Sequence, residues 1–229
     1  MVHYLKCSFC NKEADSKDHI PSKSLLEKPY PNNLLTIPAC KKCNKSFSLD
    51  EEYFLNVLTE ISNNPNLVVR KNEGGNVFKS RKRSPKLKAR IEESYIQTNG
   101  KIFFKIELDR INRVIEKIAL GLYYHRYKKR TNLEFFKCYG FYPFEMEETR
   151  PAEIFMLTYN QNYMIKKWTH IQPNVFSYIV VRDWTRNNKL TMIFHIHNTV
   201  WCLIEIPHPS SLKKRLHSKT NQLQLKIFE

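Results

Sequence analysis

The chain has no apolar run near the roughly 20 residues that a helix needs to cross a bilayer. Its longest, such as Phe176 to Val181 and Trp201 to Ile206, are far shorter, so no transmembrane helix is expected and no membrane partner. No apolar stretch follows a basic start at the amino terminus, which argues against a signal peptide and for residence in the cytoplasm. No internal repeat is present, which excludes a repeat array. Glycine is scarce, at 5 of 229 residues, while Lys, Asn and Ile are abundant. A compositional bias of that kind would raise Asp and Glu along with Lys, so it does not explain a second shortage: 22 acidic residues stand against 38 basic ones, a formal net charge of +16. A polyanionic partner explains it, and nucleic acid is the simplest.

What is present begins with cysteine. In a reducing compartment the 6 cysteines are read as ligands and buried thiols rather than disulfides. Cys7/Cys10 and Cys40/Cys43 are two C-x2-C knuckles, the spacing at which thiolates hold zinc in a tetrahedron. Cys138 and Cys202 lie in apolar, strand-like surroundings and are assigned no role. A zinc ribbon separates its knuckles by roughly 15 to 20 residues; here the insert from Asn11 to Ala39 is longer and carries Asp18-His19. The extra length leaves room for an active-site loop.

Periodicity divides the chain into three parts. Residues 1–65 read as knuckle, loop, knuckle and helix. Leu34, Leu35 and Ile37 form a short strand ending at Pro38, and a helix runs from about Leu49 to Ile61 with Tyr53, Phe54, Val57, Leu58 and Ile61 as its buried stripe. Ser48-Leu-Asp-Glu51 matches a capping box, and capping with the helix dipole accounts for the acidic triplet Asp50, Glu51 and Glu52. Asn63 to Asn66 stops that helix. Residues 66–99 read as a basic linker or arm, broken at Gly74-Gly75 and Pro85, with Arg81, Lys82, Arg83, Lys86, Lys88 and Arg90 as candidate phosphate contacts. Residues 100–229 read as a mixed α+β domain of unknown role: a strand from Lys101 to Leu108, an amphipathic helix from Arg110 to Arg126, a helix from Ala152 to Trp168, and strands Val175 to Trp184, Leu190 to His197 and Val200 to Ile206. Thr185 to Asn188 fits a hairpin loop, and the tail beyond Ser210 is read as frayed.

Hydrolysis of a phosphodiester requires an activated water, charge stabilisation on the phosphoryl oxygens and help for the leaving oxygen, which one divalent ion and one neutral histidine supply together. Asp18 and Asn44 offer hard oxygen donors suited to Mg²⁺ or Mn²⁺, while the thiolates select Zn²⁺. His19 is the candidate base. The series Cys7-x2-Cys10, Asp18-His19-Ile20-Pro21, Asn33-Leu34 and Cys40-x2-Cys43-Asn44 resembles the HNH endonuclease family in its HNN form. That resemblance implies a zinc-stabilised ββα-metal module with His19 as general base. It implies that Asn33, or its neighbour Asn32, aligns the loop carrying the base, and that Asp18 and Asn44 ligate the catalytic ion. Asn44 directly after the last cysteine is similar to the arrangement in phage Holliday-junction resolvases, and Asp before the base is similar to the HNH domains of RNA-guided effector nucleases. Lys117 to His125, together with Cys43 to Tyr53, resembles segments of stand-alone bacterial HNH proteins of similar length.

The expected protein is therefore α+β and acts on DNA, with RNA left open. Restriction or phage defence is the expected setting by family analogy, with a homodimer or a defence-system protein as further partner. A zinc-dependent nucleic-acid-binding module without catalysis and a nuclease for branched DNA are the alternatives. His195 and His197, on one face of a strand, are read as solvent- or phosphate-facing rather than metal-binding. Tyr123-Tyr124-His125-Arg126 is read as core and rim of a helix or as a base-stacking cluster.

Overall fold

The computed structural model describes residues 5–62, 70, 75–131, 136–143, 168–183 and 189–209. All but the last residue of the expected helix from Ala152 to Trp168, the loop at 185–188, the helix stop at 63–66 and the tail beyond 210 lie outside these residues. The fold is α+β. No helix among the described residues is long and apolar enough to cross a membrane.

The amino-terminal part is a hairpin followed by helices. β1 (Ser16–Ile20) and β2 (Leu35–Ala39) pair antiparallel, with Asp18 opposite Ile37 and His19 opposite Thr36. Both strands alternate between a buried and an outward face: Asp18, Ile20, Ile37 and Ala39 point inward, while Lys17, His19, Thr36 and Pro38 share the outer face. α1 (Lys41–Ser46) is a short helix whose N-cap is Cys40, the thiol sulfur accepting from the Cys43 amide. α2 (Ser48–Ile61) follows at once.

The capping box does not form as expected, because the N-cap of α2 is Phe47 and Ser48 already lies inside the helix. The acidic triplet has tertiary partners instead. Asp50 accepts from Arg110 at 2.8 Å and Arg113 at 2.7 Å, Glu51 contacts Lys117, and Glu52 accepts from Ser80.

Residues 76–93, within the expected arm, are helical: α3 (Asn76–Arg83) and α4 (Pro85–Glu93), the latter opened by a Ser84 cap and a proline at its start. Their apolar residues Val77, Leu87 and Ile91 reach the core. β3 (Tyr95–Thr98) and β4 (Lys101–Phe104) make an exposed hairpin. α5 (Leu108–Tyr127) runs 20 residues, with Ile111, Val114, Ile115, Ile118 and Leu122 buried as their spacing predicts.

The carboxy-terminal part is a five-stranded antiparallel sheet in the order β5-β9-β8-β7-β6, from β5 (Lys137–Pro143), β6 (Thr169–Gln172), β7 (Phe176–Asp183), β8 (Lys189–Ile196) and β9 (Val200–Pro207). Alternate residues of β8 and β9, including Met192, Phe194, Cys202 and Ile204, face the main core, while Ile193 and Leu203 face a small second cluster with Trp168 and Trp201. One cluster of buried side chains runs from Ile20 in β1 through α2 and α5 to Ile206 in β9. α5 is its hub, contacting α2, β1 and β2 as well as β5 and β9. The loop after β1 docks on the sheet: the Gln172 side chain exchanges two 3.0 Å hydrogen bonds with the Glu27 backbone.

His197 ends in the turn after β8, at φ 52°, and not on the strand. It is 1% exposed, with Nε2 2.8 Å from the Leu25 carbonyl. His195 is half-buried and stacks on Trp201 at 4.6 Å between ring centres. The pair thus does not share one strand face, because the strand ends at Ile196 and the His197 ring turns to the Leu25 carbonyl while His195 packs on Trp201. Tyr123 is buried in the core. Cys202 is buried, and the Cys138 thiol donates to Asn112 at 3.2 Å.

Candidate metal centre and hydrolytic hairpin

The thiols of Cys7, Cys10, Cys40 and Cys43 lie within 4.8 Å of one another. Local backbone geometry brings each pair together. The Cys7 amide donates to the Lys12 carbonyl and the Asn11 amide to the Cys7 carbonyl, with Asn11 at φ 67° closing the first knuckle. The second knuckle is the first turn of α1. The Ser8 amide donates to the Pro38 carbonyl at 2.9 Å, which joins the two knuckles, and the Arg130 guanidinium, just beyond α5, holds the first knuckle by donating to the Ser8 and Phe9 carbonyls.

Sulfurs about 2.3 Å from a tetrahedral zinc ion lie about 3.8 Å apart; Cys10 and Cys40 Sγ are 3.7 Å apart. The donor set therefore fits zinc. The Lys12 amide lowers the Cys10 thiol to about 7, whereas burial and the neighbouring sulfurs push Cys43 up. Four thiols so close do not all ionise without a cation among them.

Strand alternation decides the fate of Asp18 and His19. His19 is half-exposed on the outer face of the hairpin. Its pKa is lowered by burial first and then by the fields of Lys23 and Lys117, which keeps the ring neutral at pH 7. Lys17, Thr36 and Pro38 on the same face border a cleft of about 560 Å³ closed by Leu5, Ala14 and Asp15. Asp15 also caps α1, accepting from the Lys41 amide at 2.7 Å.

Asp18, one residue earlier, faces the core at 4% exposure. Lys117 of α5 lies 3.0 Å from both of its carboxylate oxygens. Burial raises the Asp18 pKa, and the Lys117 charge opposes that rise. Asn44 turns its amide nitrogen to the Lys17 carbonyl at 3.1 Å and so ties α1 to β1. Asn33 sits exposed in the turn from Pro31 to Leu34 that delivers β2. The structure thus gathers the thiols with Asn44 beside them and sets His19 on the outer face of the hairpin, where Lys17, Thr36 and Pro38 of that face, but not His19 itself, line the cleft, while Asp18 is closed off by a lysine.

Of the candidate phosphate contacts, Arg81 turns inward, donating to Asn56 at 2.6 Å and pairing with Glu60. Lys82, Arg83 and Lys86 are exposed. Lys88 and Arg90 are exposed beside Glu92 and Glu107, at 3.7 and 3.5 Å.

Lys117 is the residue that the sequence reading missed. Its signal was a cation set among Val114, Ile115 and Ile118 on the buried side of an amphipathic helix, where a charge requires a partner. No family model, curated protein or solved structure matches the chain.

Proposed function

We propose that this chain is an HNH-type endonuclease that hydrolyses DNA phosphodiester bonds with His19 as general base. The observation that carries the reading is the outer face of the β1–β2 hairpin, where a neutral histidine shares its face with the cleft-lining Lys17, Thr36 and Pro38, on strands that lead into a cluster of four thiols, in a chain of net charge +16. His19 takes the proton from a water positioned over the phosphate, the resulting hydroxide bonds to phosphorus as the bond to the ester oxygen breaks, and that oxygen takes a proton from solvent water. Lys17, on the same face, meets the phosphoryl oxygens, and Lys23 adds positive potential beside them. Zinc on Cys7, Cys10, Cys40 and Cys43 fixes the hairpin against α1 and touches no substrate. Lys82, Arg83 and Lys86 extend the basic surface toward the flanking backbone.

The HNH resemblance also implies Mg²⁺ or Mn²⁺ on Asp18 and Asn44. As placed, the two residues do not suit such an ion, since Asp18 is buried against Lys117 and Asn44 presents its nitrogen to a carbonyl. That same observation favours a second reading, a zinc-dependent nucleic-acid-binding module without cleavage.

Cleavage of supercoiled plasmid in Mg²⁺, Mn²⁺ or EDTA, by wild type and by His19→Ala prepared identically, separates the two. Nicking by wild type alone, with zinc content and melting temperature unchanged in the variant, is the expected result. Equal activity in both proteins counts against His19, and plasmid binding without cleavage in either favours the binding module.

A further inference from the structure

Three cations along α5, Arg110, Arg113 and Lys117, meet three carboxylates: Asp50 and Glu51 of α2 and Asp18 of β1. The two arginines share Asp50. Lys117 is the innermost, 2% exposed, with Nζ 3.0 Å from both Asp18 oxygens, in contact with Glu51, and 5.4 Å from the centre of the Phe47 ring. Three charges of each sign leave the cluster neutral. A divalent ion added at Asp18 while Lys117 stays would leave two surplus positive charges in a desolvated place, where they are poorly screened. The ammonium also occupies the space that such an ion would need.

We propose that Lys117 supplies the cation that neutralises Asp18, so that Asp18 is a positioning residue rather than a metal ligand. It holds the strand that carries His19 against α5 and binds no divalent ion while Lys117 is present. The inference concerns the hairpin of the nuclease reading but does not rest on catalysis. Its corollary is a latent site. Asp18 and Glu51 both reach one nitrogen, so removing that nitrogen leaves two carboxylates facing one gap, the oxygen donors that Mn²⁺ takes.

The test is a titration of the zinc-loaded full chain with Mn²⁺, the free ion read by electron paramagnetic resonance and no nucleic acid present. Wild type and Lys117→Arg are expected to leave the ion free at sub-millimolar concentration. Lys117→Met is expected to bind about one equivalent at least about tenfold more tightly than wild type, and adding Asp18→Asn to it removes that site. One equivalent bound by wild type and lost in Asp18→Asn overturns the proposal, and that comparison does not depend on the methionine variant folding. A folded Lys117→Met that gains no site also overturns it. Failure of the nuclease reading would show in the plasmid assay alone.

Discussion

His197 shows how a buried ring becomes a pH-dependent element of stability. Burial first, and then the field of Arg70, lower its pKa to about 4, so it is neutral at pH 7 and its 3.6 Å contact with Glu27 is not an ion pair. The unfolded chain takes up a proton near pH 6.5 that the folded ring refuses. Stability is therefore fully present above about pH 6.5 and is lost as pH falls toward 4, by about 2 kcal/mol at pH 5 from this group. Urea unfolding at pH 7.5 and pH 5 should show this loss in wild type and a smaller one in His197→Gln, whose amide retains a donor for the Leu25 carbonyl. His19 is lowered in the same direction. The proposed cleavage should therefore lose its base at a lower pH than an unperturbed histidine would allow. A pH–rate profile checks it.

At the scale of elements, β1 and α5 meet closely at Gly121 and Ile20. Gly121 lies in the middle of α5, where alanine ordinarily gains about 1 kcal/mol. A Cβ there would come within 2.4 Å of Ile20 Cδ1 and 2.5 Å of its Cγ1. Ile20 is 0% exposed, so it could shift only at the expense of its core neighbours. Overpacking of this kind costs about 1–3 kcal/mol, so against the helical gain Gly121→Ala should destabilise the protein by up to about 2 kcal/mol. Ile20→Val, which removes the terminal methyl, should recover part of the loss when the two are combined; a double-mutant cycle in urea reads the coupling. The α2–α5 seam predicts a larger effect. Asp50→Ala leaves Arg110 and Arg113 without their shared carboxylate and should cost about 3 kcal/mol, because the surviving charges remain partly buried. Its check is the denaturant midpoint at fixed m-value.

At the scale of the whole molecule, the thiolate tetrad and the sheet are joined through one core. A zinc ion held by the four cysteines would order the knuckles that flank β1 and β2, and Ile20 and Ile37 of those strands belong to the same buried cluster as Phe194 and Ile204. Removing zinc with a strong chelator should lower the melting temperature of the entire chain in one transition, rather than melt the amino-terminal part alone. Scanning calorimetry with and without chelator decides, and two separated transitions would show that the halves unfold independently. Much of this architecture was legible in the linear chain: the C-x2-C spacing, the stripes of α2 and α5, and the strand-like runs of β8 and β9 depend on residues a few positions apart, where local geometry dictates who can meet. The helices in 76–93 were not, because charge and the glycine and proline signals outweighed three apolar positions, Val77, Leu87 and Ile91, whose burial exists only against the rest of the fold. The sequence by itself determined an α+β chain, its candidate zinc ligands, and a histidine beside an aspartate within the insert between them. Only the tertiary structure decided that these two neighbours part company, since a strand sends successive side chains to opposite faces and the core lies on one. It also brought Lys117 to Asp18 across 99 residues of chain, because a buried carboxylate requires a cation and α5 is the helix packed against it.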